Sequence, residues 1–201
     1  MIRNVIFDFG AVLFEWQPKQ IVATFTQSPE EQDLLLNHVL GHPDWLSLDR
    51  GTMLMAEVIP KFAARTNLPL SRIEDFLEHI QKSLTLIGET QQLVLQLIDS
   101  DLSVYFLTNM SSAFFEKLNE LHGLYSLFDG GLVSGKELLL KPEPEIFELL
   151  AQRFDLIPFE SLFIDDQPAN LAAAKQLGFQ VFHFQTPSES CTEIRDLLKI
   201  N

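Results

Sequence analysis

Four short apolar runs restrict this chain more than any other feature: Asn4 to Phe7, Ser103 to Leu107, Ser161 to Ile164, and Gln180 to Phe184. Runs of this length without polar alternation read as strands buried on both faces, the signature of a parallel sheet. Parallel neighbours need long crossovers, and helical patterns separate the later runs. Glu89 to Asp99 sets Leu93, Leu97 and Ile98 on one face, and Ser112 to Leu121 does the same with Phe114, Phe115, Leu118 and Leu121. Pro144 to Phe154 turns Ile146, Phe147, Leu149 and Leu150 inward, and Ala169 to Leu177 begins after Pro168 and stops at Gly178. Ser190 and Glu193 have capping-box spacing ahead of a last helix carrying Ile194, Leu197 and Leu198. The alternation predicts a doubly wound, Rossmann-like α/β domain with a parallel sheet.

Residues 15–88 break that alternation. Ser28-Pro29-Glu30-Glu31 and Ser71-Arg72-Ile73-Glu74 are helix-start signals, and Met53 to Arg65 is helix-like but contains Pro60, which predicts a kink or split. The expected division is an α/β core of residues 1–14 and 89–201, with residues 15–88 as a helical insert after the first strand.

Of the 201 residues, 46% are hydrophobic and 17 are Phe, enough to fill a core. Acidic residues number 28 against 14 basic ones, for a net charge of -14. Nucleic acid and anionic membrane surfaces are bound by the opposite balance, so no nucleic acid and no membrane partner is expected. The single Cys191 excludes an intramolecular disulfide, and its acidic surroundings oppose a thiolate. The first apolar run is interrupted at once by Asp8, so no signal peptide is read and a cytoplasmic monomer or weak homodimer is expected.

In open parallel sheets, ligands bind beyond the carboxyl ends of the strands. Asp8 follows the first run, Thr108-Asn109 the second and Asp165-Asp166 the third, while Lys141 precedes the Pro144 helix. The sheet thus gathers three carboxylates, an ammonium, a hydroxyl and an amide at one edge. Converging carboxylates repel unless a cation joins them, and oxygen-only ligands suit Mg²⁺. A lysine beside them can neutralise a phosphoryl group.

In order and spacing, these segments resemble the four motifs of the haloacid dehalogenase superfamily. Asp8-Phe9-Gly10-Ala11-Val12-Leu13 resembles the first, Leu107-Thr108-Asn109 the second, Lys141-Pro142-Glu143-Pro144 the third and Asp165-Asp166-Gln167-Pro168-Ala169-Asn170 the fourth. The insert is similar to the family's C1 cap. Phe14-Glu15-Trp16-Gln17-Pro18 points to the branch holding the amino-terminal phosphatase domain of soluble epoxide hydrolase and bacterial sugar-phosphate phosphatases. The resemblance implies a Mg²⁺-dependent phosphatase acting on a small phosphorylated metabolite, a sugar phosphate by branch. Asp8 is the implied nucleophile and Lys141 the charge clamp, with Thr108, Asn109 and the Gly10 backbone at the phosphoryl group. Asp8, the Gly10 carbonyl and Asp166 would hold the metal, with Asp165 behind them.

Gly10 departs from the pattern, because most phosphatases of the family carry there a second aspartate that serves as general acid and base. Glu15, Asp49, Glu57 and His42 are candidates to replace it. Two other readings stay open: a metal-independent 2-haloacid dehalogenase, and a non-catalytic or very slow binding protein on the same fold. Trp45 and Arg50 are candidate cap contacts to substrate, against a core tryptophan and a surface ion pair. Asn170 is expected to pack the fourth-motif turn.

Overall fold

The structure, a computed structural model, describes residues 1–200. Five strands form one parallel sheet: β1 (Asn4–Phe7), β2 (Ser103–Thr108), β3 (Gly130–Val133), β4 (Ser161–Asp165) and β5 (Gln180–His183), in the order β3-β2-β1-β4-β5. The central strand is zipped on both sides in one register, with Phe7 opposite Phe106 of β2 and Ile164 of β4. Its side chains alternate between two cores: Val5 and Phe7 point into one, Ile6 into the other.

Between β1 and β2 run α1 (Pro18–Phe25), α2 (Pro29–Leu35), a π-helical turn (Leu36–Leu40), α3 (Pro43–Arg50), α4 (Met55–Thr66), α5 (Leu70–Ser83) and α6 (Gly88–Ile98). Then follow α7 (Ser112–His122), the short α8 (Leu124–Leu127) and α9 (Ser134–Glu137) around β3, α10 (Pro144–Arg153), α11 (Pro168–Gln176) and α12 (Pro187–Leu198). Helices α6, α7 and α12 bury Leu93, Phe115 and Ile194 on one sheet face, and α10 and α11 bury Phe147 and Ala174 on the other. Helices on both faces are what lets parallel strands stay apolar throughout. The first cluster continues without a break into α3, α4 and α5 through Trp45, Leu48, Phe62 and Phe76, so those helices share a core with the sheet. No helix among the described residues is long and apolar enough to cross a membrane.

The structure corrects several local expectations. The strand β3 has no apolar run to announce it, because it begins with two glycines that its packing demands. A Cβ on Gly130 would lie 2.3 Å from the Phe154 ring, and one on Gly131 would lie 2.4 Å from the Phe106 ring. The last apolar run is not buried on both faces: β5 is an edge strand whose four residues are exposed or half-buried. Helix α4 runs unbroken through Pro60, held on either side by the fully buried Val58 and Phe62. Ser71 lies inside α5, which starts after Pro69, and Ser190 lies inside α12, which starts at Pro187. The Ser190 hydroxyl reaches back instead to accept the Gln185 N–H at 3.1 Å. Ser28 does cap α2 through the Glu31 N–H, but the Glu31 carboxylate goes to Thr26 and Arg72. Ile98, Leu121 and Leu197, at helix ends, are exposed rather than buried.

Candidate active site

Strand order places the topological switch between β1 and β4, since the chain leaves β1 toward β2 and β3 and later returns to β1's other side. A crevice opens at the carboxyl ends of two such strands. Asp8 stands there at the end of β1, its N–H donating to the Ile164 carbonyl at 2.9 Å, and Asp165 ends β4 beside it. Lys141 enters from the loop before α10. Its Nζ lies 2.7 Å from Asp8 Oδ1 and 2.8 Å from both Asp165 Oδ2 and the Leu107 carbonyl, with almost no solvent exposure.

One buried ammonium thus serves two buried carboxylates. Burial pulls the Lys141 ammonium toward neutrality, but the charges of Asp8 and Asp165 more than offset it, and its pKa ends above the ordinary lysine value. For Asp8 burial is the larger effect and pushes the carboxyl up to about 7, against the pull of Lys141 and with the push of Asp165. The site carries surplus negative charge that a cation would relieve.

Asp165 and Asp166 play different parts. Asp165 is fully buried and already accepts hydrogen bonds from Lys141 Nζ, the Gln167 N–H at 2.7 Å and the Asn170 amide at 3.1 Å to each oxygen. Asn170 therefore pins the turn. Asp166 is half-buried, lines the cavity, and is raised in pKa by burial first, with Gln167 hydrogen bonding against it. One carboxylate oxygen from each of Asp8, Asp165 and Asp166 falls within 4.8 Å of the others, a spacing and an all-oxygen donor set that fit a hard divalent cation.

The amide side chain of Asn109 is committed to Lys141: its Nδ2 donates to the Lys141 carbonyl at 2.9 Å and its Oδ1 accepts the Lys141 N–H at 2.8 Å. That two-point clamp fixes the lysine's backbone. Thr108, the last residue of β2, is buried and absent from the cavity wall, whereas Gly10 and Asn109 line it.

Above these groups lies a cavity of about 370 Å³. Its upper wall is apolar: Trp16 stacks on Trp45 at 6.2 Å between centroids, with Leu40, Leu46, Met110 and Phe114 around them. Lys141 is the one cation on the wall among the described residues. Trp45 is therefore both a core residue and a pocket residue. Arg50 is neither, for it forms an ion pair with Glu143 and donates to the Leu138 carbonyl at 3.3 Å.

Of the four acids proposed to replace the missing aspartate, one reaches the cavity. Glu15 accepts from Gln17 and faces a separate cavity, Glu57 accepts the Leu54 N–H at the start of α4, and His42 accepts the Asp44 N–H at the start of α3. Asp49 lines the cavity with Asp8. Its main chain is anchored by Ser134, whose hydroxyl donates to the Asp49 carbonyl at 2.6 Å and accepts the Met110 N–H at 2.8 Å. Sequence reasoning passed over Ser134, since it follows the unrecognised strand β3 and so was not seen as a strand-end residue.

These features can be set against known proteins. The sequence matches the family described as haloacid dehalogenase-like hydrolase over residues 2–178. It is 28% identical to a sesquiterpene phosphatase of Aspergillus oryzae, with 98% of this chain and 96% of that protein covered. It is 24% identical to a D-ribitol-5-phosphate phosphatase of Bacteroides thetaiotaomicron, covering 98% and 99%. Among solved structures, a haloacid dehalogenase family enzyme of Bacteroides thetaiotaomicron, in complex with magnesium and inorganic phosphate, superposes with a TM-score of 0.75 at 21% identity, covering 92% of this chain and 95% of that one. With the sheet order, the lysine between two aspartates and a family match over nearly nine-tenths of its length, this chain belongs to the haloacid dehalogenase-like hydrolases.

Proposed function

We propose that the protein is a Mg²⁺-dependent phosphatase that cleaves small phosphate monoesters through an aspartyl-phosphate on Asp8. The observation that carries this reading is the Lys141 ammonium held between Asp8 and Asp165, with the half-buried Asp166 open to the same cavity. Asp8 Oδ attacks phosphorus, the bond to the leaving oxygen breaks, and water later releases inorganic phosphate from Asp8. Lys141 stays charged and offsets the negative charge of the phosphoryl oxygens. Asn109 keeps that lysine in place, and the backbone at Gly10 lets the phosphoryl group approach closely. Asp8, the Gly10 carbonyl and Asp166 would hold the metal, and Asp165, saturated by its own hydrogen bonds, would orient the lysine and the turn. Bound there, Mg²⁺ supplies charge neutralisation at phosphoryl oxygens.

The two carboxylates beyond Asp8 set this reading apart from a dehalogenase, which needs a nucleophile and a lysine but no cation site. Activity on a phosphate ester is expected to vanish with excess chelator and return with added Mg²⁺, and Asp166→Asn should weaken the Mg²⁺ response severely. Turnover undiminished by chelator would sink the proposal. Halide release from a 2-haloacid under that condition would favour the dehalogenase, and no turnover of either class a binding protein.

The cavity also bears on the leaving group. A sugar is recognised by hydrogen-bonding side chains, yet the wall away from Asp8 is mainly aromatic and aliphatic. We infer an apolar alcohol as the leaving group, which the relative named a sesquiterpene phosphatase supports. The sugar-phosphate reading has its own support in the relative named for D-ribitol 5-phosphate. The two are separated by comparing kcat/KM for a prenyl phosphate and a pentitol phosphate. The prenyl ester is expected to win, and Trp45→Ala should cost it about 3 kcal/mol, roughly 100-fold, mostly in KM. Preference for the pentitol ester would restore the sugar reading.

A further inference from the structure

We propose that Asp49, carried by α3 and lining the same cavity, is the general acid and base of the reaction, doing what the residue at position 10 cannot. The inference rests on the phosphatase reading above. With glycine at position 10, no side chain there can protonate a leaving oxygen. Among the described residues on the cavity wall, the carboxylates are Asp8, Asp49 and Asp166. Asp8 is engaged by Lys141, and Asp166 stands at the cation site. Asp49 is the remaining one, and its carboxyl meets the Trp45 side chain of the aromatic wall.

Its position is set by the core. Ser134 holds its carbonyl at 2.6 Å, and two residues on, Gly51 turns the chain with φ of +84°. A Cβ on Gly51 would lie 2.2 Å from the Gly135 carbonyl oxygen, so the end of α3 is pressed directly against α9. Arg50 adds its pair with Glu143. The carboxyl itself faces the Ser111 backbone N–H and the Trp45 side chain. Burial pushes it up to about 8, against those two hydrogen bonds, so it holds a proton at neutral pH. That is the state a general acid needs before the first step.

The steps balance. As Asp8 Oδ bonds to phosphorus and the P–O bond to the leaving group breaks, the Asp49 proton passes to the leaving oxygen and the alcohol departs. Asp49, now a carboxylate, takes a proton from the water that attacks the aspartyl-phosphate. The P–O bond to Asp8 then breaks, and inorganic phosphate leaves with Asp49 protonated again.

The test is a series of aryl phosphates of rising phenol pKa, ending in benzyl phosphate, with Mg²⁺ and rapid-quench measurement of phosphoenzyme formation. In the wild type the rate should depend weakly on the leaving group. In Asp49→Asn it should stay near wild type for the most acidic phenol and fall ~10²–10⁴-fold for benzyl phosphate, with a product burst for the former because water is no longer activated. Gly10→Asp in that background should restore the benzyl rate. The backbone accepts a Cβ there: the three atoms nearest to one at Gly10 belong to the Trp16 side chain, at 3.8–3.9 Å, ordinary van der Waals contact. For benzyl phosphate the wild-type rate should drop above about pH 8, a limb missing with the acidic phenol. The other ionisable groups around Asp49, namely Asp8, Lys141, Asp166 and the Arg50–Glu143 pair, act on both substrates and cancel in that comparison. An Asp49→Asn enzyme slowed equally on every substrate, or not slowed on benzyl phosphate, overturns the assignment. A wild type that cleaves no phosphate ester overturns the phosphatase reading instead, and this assignment with it.

Discussion

Asp8→Asn is expected to abolish turnover, on the order of 10⁵–10⁶-fold, while leaving a folded protein. The amide is the same shape but a poor nucleophile and a poor partner for a cation, so both proposed uses of Asp8 are lost together. Stability should respond in the opposite sense. Burial already pushes the Asp8 carboxyl up to about 7, which means the fold resists its charge. A folded pKa above the unfolded value makes the charged form a cost that grows as pH rises from about 4 toward 7. Replacing it with a neutral amide removes that cost, and Lys141 keeps Asp165 as its partner at 2.8 Å. In the metal-free protein at pH 7 the Tm should therefore hold or rise. Mass spectrometry after acid quench should find phosphate on the wild-type peptide containing Asp8 and none on the variant. Near-normal rates in Asp8→Asn would end the covalent mechanism.

Lys141→Ala is expected to damage both activity and fold. In catalysis it strips the one cation from the described cavity wall, and loss of a charged contact to the phosphoryl group should cost on the order of 10³-fold in kcat. In the fold it leaves Asp8 and Asp165 buried, close together and unpaired. Breaking a buried ion pair from one side costs about 3–5 kcal/mol, or a Tm drop of about 10 °C for a chain of this size. The two losses separate experimentally. Added Mg²⁺ should recover part of the Tm, because it neutralises the same carboxylates, but little of the rate, because the lysine's own place is still empty. A variant with unchanged Tm in the absence of metal would show that Lys141 is not the buried counter-ion it is taken to be.

How much of this was legible in the sequence differs by element. Four strands and the core helices were readable because a short unbroken apolar run marks a strand of a parallel sheet, and burial of one helical stripe leaves a period of 3.6. The fifth strand was not, because Gly130 and Gly131 are chosen by the Phe154 and Phe106 rings packed over them and contribute no apolar signal of their own. Capping signals succeeded at Ser28 and misled at Ser71 and Ser190, where a proline just upstream started the helix first. Pro60 was tolerated because the packing of Val58 and Phe62 outweighs one missing hydrogen bond.

The chemistry divides the same way. From the sequence alone came the charged groups that gather at the sheet edge, Asp8, Lys141, Asp165 and Asp166, since each sits next to a strand end or helix start and a parallel sheet can only bring such ends to one edge. What the sequence could not apportion was the use of each side chain. Asn109 clamps Lys141, Arg50 joins Glu143, and Asp165 is saturated by its neighbours. Four acids were equally good candidates to answer the glycine at position 10, and only the packing of α3 on α9, through Gly51, Gly135 and Ser134, brings Asp49 to the cavity. Periodicity records which face of one continuous element is buried, so it can be read within that element. Convergence of Asp49 and Asp8, 41 positions apart, is decided by backbone contacts between distant segments, and these leave no pattern in either segment read by itself.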